Sequence, residues 1–371
     1  MFEQIEAKVL AGERLTVAEA LSLYRYPNLP EIGALADLVR RRKHPSNIVT
    51  YNIGRNINYT NICWVRCSFC NFYAPPGSPD GYVLSKEEIF AKIDELVALG
   101  GDIPQGCELL MQGGLNPRLT IEYFEDLFAE ITQRYPQVYL HALSAPEIIY
   151  IAHRSRLSIE ETLRRLQSAG LQSLPGAGAE ILHDAVRRQI AFRKDTTAEW
   201  LEVHRIAHRL GMNTTATMMF GSVEKLEHRI EHLDLIRQTQ DLALQRIASN
   251  GKGGKFTAFI VWNFQPQGTE LASRGECHKS TAAEYLRMVA LSRLFLDNVD
   301  NLQASYVTQG AKVAQIALRY GLNDFGSSMM EENVVSAAGT SHLLSVAEIC
   351  RVITAAGYEP RRRNTRYELI P

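Results

Sequence analysis

Apolar residues recur along this chain in two periods, one helical and one too short to be helical. Over residues 1–45 the period is helical: Phe2, Ile5, Val9 and Leu10 make one stripe, Ile32, Leu35, Leu38 and Val39 another, and Thr16 and Glu19 stand in the relation of a capping box. This stretch reads as a helical N-terminal extension. Over residues 46–371 short runs of β-forming residues alternate with longer runs of helical period. The strand candidates are 57–60, 108–112, 138–142, 171–174, 213–219, 257–262, 302–306 and 322–325. The helix candidates are 86–99, behind a Ser85/Glu88 capping box, then 121–134, 159–169, 198–210, 224–242, 281–296, 311–320 and 346–355.

Eight strands alternating with eight helices predict an α/β fold of the (β/α)8 TIM-barrel type. Parallel strands need helical crossovers, and eight strands close at a diameter that side chains can fill. An open doubly wound sheet is the rival architecture, but no Gly-x-Gly-x-x-Gly follows the first strand. One barrel, residues 46–371 with its C-terminal segment, absorbs the length.

Charge narrows the partners. The 371 residues carry 40 Lys and Arg against 41 Asp and Glu, a net charge of -1, so no field of one sign draws the chain to nucleic acid or an anionic membrane. A small-molecule partner is expected, with no nucleic acid and no membrane. The longest apolar run, 256–264, is about half of what a membrane span requires, and residues 1–15 are too charged for a signal peptide, so a cytoplasmic location is expected. The glycines and lysines of 249–255 have the composition of a phosphate loop without its pattern and read as a surface connection. Arg41–Lys43 and Arg361–Arg363 read as solvated faces, as do the i,i+4 pairs His204/His208 and His228/His232, which lack the His-Glu-x-x-His order of a zinc protease.

The cysteines change the picture. Cys63, Cys67 and Cys70 lie just after the first strand candidate, on the face where barrel loops build active sites, while Cys107, Cys277 and Cys350 are scattered and read as inert. Three thiolates on one tight loop can hold three irons of a cubane and leave a fourth iron open. A zinc ion completed by a distant ligand, or three unrelated core cysteines, are the other readings.

The Cys-x3-Cys-x-aromatic-Cys pattern, with Phe69 before the last cysteine, is the signature of the radical S-adenosylmethionine enzymes. Beyond it the chain resembles the futalosine-pathway branch of that superfamily over nearly its whole length. The matching stretches are Gly54–Asn61, Met111–Gly114, Ser173–Gly176, Gly178–Leu182, Thr215–Met218, Phe264–Pro266, Asn323–Ser327 and Glu331–Gly339. Asn71 and Ala74 depart from the family's usual residues, and 244–254 lengthens a loop.

The resemblance implies a 4Fe-4S cluster on Cys63, Cys67 and Cys70 and S-adenosylmethionine as the second cofactor. Phe69, Gln112, Gly113, Gly114, Ser144, Glu180 and Gly221 are the implied cofactor contacts. Gly113 and Gly114 would meet the methionine amino group, Ser144 and Glu180 the methionine carboxylate and the ribose, and the Gly221/Glu224 turn the adenine. Each also reads as an ordinary loop residue, and Glu224 as an acid in the first turn of a helix.

The implied reaction cleaves S-adenosylmethionine to methionine and a 5′-deoxyadenosyl radical. That radical takes the ribose C4′ hydrogen of dehypoxanthine futalosine, and the carbon radical closes onto the benzoate ring, a step of menaquinone biosynthesis. Gln265, Thr308, Gln309 and Asn323 are the candidate substrate contacts. Glu331, then Glu332 and Asp324, are candidates to accept the ring proton, against the reading that the two glutamates only cap a helix. A reducing electron-donor protein of flavodoxin or ferredoxin type is implied as a partner. Aminofutalosine synthase and the cluster-bearing half of the deazaflavin FO synthase share these features. An iron–sulfur electron carrier is the rival of another class, and the three-ligand count argues against it.

Overall fold

The computed structural model describes residues 2–275, 277, 279–339 and 342–371. Its strands are β1 (Ile48–Asn52), β2 (Gly54–Ile57), β3 (Cys107–Met111), β4 (Val138–Ala142), β5 (Ser173–Leu174), β6 (Asn213–Phe220), β7 (Phe256–Asn263), β8 (Asn301–Gln303), β9 (Asp324–Ser327) and β10 (Glu359–Arg362). They form one sheet in the order β10-β1-β9-β8-β7-β6-β5-β4-β3-β2, with parallel pairing between neighbours.

β1 and β2 are one stretch of chain interrupted at Ile53. β1 pairs with β9 and β2 with β3, so this stretch carries the sheet from its last barrel strand back to its second. Ser328 stitches the seam: its N–H donates to the Asn52 carbonyl at 3.0 Å, and its hydroxyl sits 3.2 Å from both the N–H and the carbonyl of Gly54. Counting 48–57 as one strand, the ring has the expected eight, and β10 lies outside it, paired with β1 alone.

Boundaries moved where the inner face is polar. The first strand ends at Ile57 instead of starting there, and β2 is buried at every position although it reads Gly-Arg-Asn-Ile. The last barrel strand is 324–327, not 322–325. A strand that places a polar side chain such as Asn56 toward the barrel interior shows no apolar alternation, so period 2 cannot reveal it.

Helices were easier to read because their apolar stripes face a continuous core. The Thr16/Glu19 box is made at 3.2 and 2.7 Å, and the Ser85/Glu88 box at the same distances. Helices Phe2–Ala11, Val17–Arg25 and Leu29–Lys43 form one layer. The second and third of these pack on the outer helix Ala282–Phe295, where Arg287 ties down the carbonyls of Tyr24 and Tyr26.

Three expectations are corrected. The helix expected to stop at Leu242 runs from Leu226 to Asn250 and ends at Gly251, whose φ of 67° is the left-handed cap conformation. Residues 244–250 are therefore helical, not a lengthened loop. His204, His208 and His232 are buried rather than solvated. His208 shares a hydrogen bond with the Thr214 hydroxyl at 2.8 Å, and His232 accepts the Leu182 N–H at 3.0 Å. Arg361 is exposed, but Arg363 is buried beneath the barrel. No helix among the described residues is long and apolar enough to cross a membrane.

Candidate active site

From β2 the chain leaves the carboxyl end of the barrel and folds back on itself between residues 61 and 74. The Cys63 N–H donates to the Ala74 carbonyl at 2.9 Å, the Ala74 N–H to the Asn61 carbonyl at 2.8 Å, and the Cys70 N–H to the Cys67 carbonyl at 3.1 Å. Ser68 anchors the lobe by donating its N–H and its hydroxyl to the Ile190 carbonyl, each at 2.9 Å. Cys63, Cys67 and Cys70 are free and line one cavity of about 190 Å³.

Burial pushes the thiols of Cys67 and Cys70 upward, so neither ionises readily unless a positive charge arrives. A bound metal centre is such a charge. Among the described residues no three or more His, Cys, Asp or Glu converge on a single ion. A cubane gives each thiolate its own iron, and three thiols in one cavity fit that demand.

Gly114 brings the loop after β3 against the cysteine lobe: a Cβ there would lie 2.9 Å from the Cβ of Cys63 and closer still to the Ile62 carbonyl. A Cβ on Gly113 would lie 2.7 Å from the Tyr59 ring. Gly113 is held from below by Glu147, a buried carboxylate absent from the motif reading. Glu147 accepts from the Gly113 N–H (2.9 Å) and the Tyr59 hydroxyl (2.7 Å) on one oxygen, and from the N–H (2.7 Å) and hydroxyl (2.5 Å) of Ser144 on the other. Burial raises the Glu147 carboxyl above its usual range, against the pull of these donors. The Ser144 hydroxyl thus donates to Glu147.

Across the cavity lies a buried charge cluster. Lys194 Nζ is 2.6 Å from Glu180, whose backbone holds a φ of 40°, and Arg187 bridges to Asp195 at 2.6 Å. Burial lowers the Lys194 ammonium, but Glu180 and Cys67 outweigh it and keep its pKa above the ordinary lysine range. Lys194 also faces the Phe69 ring at 5.7 Å.

A second chamber of about 330 Å³ fills the barrel interior. It shares Phe69, Gln112, Glu180 and Val334 with the cysteine cavity, so the two compartments meet there. Its wall is largely apolar, with Leu110, Ile260 and Trp262 among its lining, and is set with a few polar side chains: Asn56 from β2, Glu108 from β3, His141 from β4 and Gln303 from β8. Gln112 Nε2 and Asn56 Oδ1 are buried without a hydrogen-bond partner among the described residues. The floor is Arg363, Thr365 and Tyr367, and Arg363 is clamped by Asp324 and stacked 3.8 Å over the Tyr367 ring.

The expected residues divide accordingly. Gly113, Gly114, Ser144 and Glu180 line the cysteine cavity with Phe69 and Gln112, and Thr308 and Glu332 line the chamber. Gly221 ends β6 outside both linings, its N–H donated to Glu224 at 2.5 Å. Gln265 and Gln309 meet at the Asn263 side chain rather than in the chamber. Asn323 lies at the opposite, amino end of β9, holding Arg293 at 2.7 Å.

The acids proposed as proton acceptors are occupied. Asp324 carries Arg363 and the Thr50 hydroxyl. Glu331 carries Lys92 at 2.6 Å and Arg55 at 2.9 Å; burial would raise it, but these cations and Asn333 hold it below the usual carboxylate range. Glu332 lines the chamber but accepts the N–H groups of Val335 and Ser336 at 2.8 and 2.9 Å, the capping role weighed against it. Glu147 was legible, since Ser144-x-x-Glu147 after the third strand candidate is a capping box. Lys194 and Glu108 carry no motif.

The family described as the radical SAM superfamily matches residues 57–236, the part that bears the cysteine lobe and Lys194. The CofH/MqnC C-terminal region matches residues 252–371, the part that bears the far wall and floor of the chamber. The chain is 44% identical to the cyclic dehypoxanthine futalosine synthase of Halalkalibacterium halodurans, over 98% of this chain and 93% of that one. It therefore belongs to the radical SAM superfamily, in the branch marked by that C-terminal region, and uses a 4Fe-4S cluster and S-adenosylmethionine.

It is also 39% identical to the 5-amino-6-(D-ribitylamino)uracil–L-tyrosine 4-hydroxyphenyl transferase of Methanothermobacter thermautotrophicus, over 96% of this chain and 95% of that one. Methylornithine synthase shares the fold, with a TM-score of 0.69 at 20% identity over 96% of this chain and 97% of that one.

Proposed function

We propose that this enzyme cyclises dehypoxanthine futalosine, the reaction its relative from Halalkalibacterium halodurans is named for. The observation that carries the reading is the pair of adjoining compartments, one with three free thiols and one a largely apolar chamber with a few polar groups on its wall, meeting at Phe69 and Gln112. Cys63, Cys67 and Cys70 would hold the cluster. The Gly113–Gly114 backbone, the unpartnered Gln112 amide, Glu180 and Lys194 would hold S-adenosylmethionine. When bound, the two cofactors supply a 5′-deoxyadenosyl radical.

The chain's own work is placement and proton handling. The chamber holds the substrate so that its ribose C4′ faces the Phe69/Gln112 junction and its benzoate ring reaches toward β3 and β4. Once the carbon radical has added to the ring, aromaticity returns only when the ring gives up an electron, which the oxidised cluster on Cys63, Cys67 and Cys70 would take back, and a ring carbon gives up a proton. Glu108 is the acceptor we assign to that proton. It lines the chamber, makes no side-chain hydrogen bond or ion pair among the described residues, and acts electrostatically on His141, whose Nδ1 shares a hydrogen bond of 2.6 Å with the Ser173 hydroxyl.

Such an enzyme needs an outside source of single electrons, a reduced protein of flavodoxin or ferredoxin type. Thiols that bind iron instead of pairing suit a reducing, cytoplasmic setting. The test is anaerobic incubation of the reconstituted protein with S-adenosylmethionine, a reductant and dehypoxanthine futalosine. The expected products are methionine, 5′-deoxyadenosine and a cyclised compound lighter by two hydrogens. Turnover of tyrosine with 5-amino-6-ribitylaminouracil, and none of dehypoxanthine futalosine, would reverse the assignment.

A further inference from the structure

The surface over the cysteine lobe is basic around an exposed aromatic ring. Arg66, in the lobe, is exposed at a φ of 58°. Helix Asp184–Ile190 and the turn after it bring Arg188, Phe192 and Arg193 alongside, all exposed, with Phe192 79% exposed. Their position is fixed by the two hydrogen bonds from Ser68 to the Ile190 carbonyl, and by Arg193, which donates to the Trp64 carbonyl at 3.3 Å. On the other side Trp64 stacks on Tyr150 at 5.9 Å, and the exposed Arg154 acts electrostatically on that tyrosine.

None of these four arginines pairs with a carboxylate among the described residues, although the chain's net charge is only -1 and many of its other arginines do, such as Arg164 with Glu160 and Arg165 with Glu125. The nearby acids are spoken for: Glu270 pairs with Arg274 at 2.6 Å and Asp184 accepts the Thr197 N–H at 2.8 Å. An exposed apolar side chain on the same segment as Arg188 and Arg193, with further cations without carboxylate partners on and beside the lobe, is the anatomy of an interface whose partner is acidic.

We propose that this rim is the docking surface for a small acidic redox protein of flavodoxin type. The proposal rests on the reading that Cys63, Cys67 and Cys70 hold a cluster charged with electrons from outside. A partner seated on Phe192 lies two residues along the chain from Lys194, which lines the cluster cavity, and directly over the lobe that bears the thiols. The cations orient the partner and speed encounter, and the ring gives it an apolar seat.

The test uses the reconstituted holoenzyme and follows bleaching of the cluster absorbance by stopped flow, first with reduced flavodoxin and then with photoreduced deazaflavin, a small reductant that needs no docking. In the double variant Arg188→Glu/Arg193→Glu the second-order rate with flavodoxin falls about tenfold or more and loses most of its salt dependence, while the deazaflavin rate is unchanged. Phe192→Ala lowers the flavodoxin rate without altering its salt slope. An unchanged flavodoxin rate in the double variant overturns the proposal, as does an equal loss with both reductants. A wild-type dimer in sedimentation that the variants dissociate would overturn it by giving the face to a second copy. The readout needs no substrate, so an error in the assigned substrate leaves the test intact. Absence of bleaching with either reductant in the unmodified protein would remove the cluster and this proposal together.

Discussion

Four hydrogen bonds converge on the Glu147 carboxylate, from Tyr59, Gly113 and twice from Ser144, and only the Ser144 pair belongs to a capping box legible in the sequence. A glutamine there offers one acceptor oxygen and an NH2 group that faces donors, so at least one donor pair is left without an acceptor. The expected cost of Glu147→Gln is about 2–4 kcal/mol in denaturant unfolding, with a raised KM for S-adenosylmethionine because the Gly113 turn loosens. Glu108 and Glu331 part ways under the same substitution. Glu108→Gln should still form 5′-deoxyadenosine yet lose cyclised product by about 10²–10⁴-fold, the usual worth of a positioned base, as read by product mass. Glu331→Gln should keep its chemistry and lose stability instead, since it strands Lys92 and Arg55. The sign follows from a folded pKa below the ordinary value of 4.5: the Glu331 contribution is complete above that value and disappears as pH falls through the lower, folded one. Melting curves of wild type and Glu331→Gln should therefore converge in acid.

Among the elements, the loop after β3 depends on the smallest side chains. Gly114→Ala places a methyl group against the Ile62 carbonyl and the Cys63 Cβ, neither of which can yield without moving the cysteine lobe. Iron content after reconstitution should fall severalfold while thermal unfolding shifts little. The same element shows what a sequence can carry. The alternation of Glu108, Leu110 and Gln112 is plain, but sequence cannot tell a polar wall from a solvated one, so Glu108 was passed over. The lobe's three cysteines and the glycines were legible because their chemistry is local. Acid density in a loop says nothing about which carboxylates already hold cations, because Arg55, Lys92 and Arg363, which hold Glu331 and Asp324, come from elsewhere in the chain.

For the whole molecule, acid sensitivity is set inside the core. Burial lowers His204 well below its ordinary pKa and brings His208 and His232 to about 3. The unfolded chain protonates these rings as pH falls below about 6.5 while the folded chain resists. Stability should thus decline from about pH 6.5 toward pH 3, each ring contributing ~1.4 kcal/mol per pKa unit at most. Equilibrium denaturation at stepped pH checks it, and a phenylalanine at His204, which has no hydrogen-bond partner among the described residues, should flatten the decline.

The cysteine cavity is lined by residues 58–194 with Val334 as the one exception, whereas the chamber draws its far wall and floor from residues 260–367. The cysteine cavity thus belongs almost wholly to the first stretch of the polypeptide, while the chamber is shared between that stretch and the later one. Mutations can then accumulate in the later stretch and redirect the enzyme to a new molecule without endangering the reagent that attacks it. A chimera that keeps the first 251 residues and takes the rest from a relative of different specificity should make the same radical and spend it on the other relative's substrate.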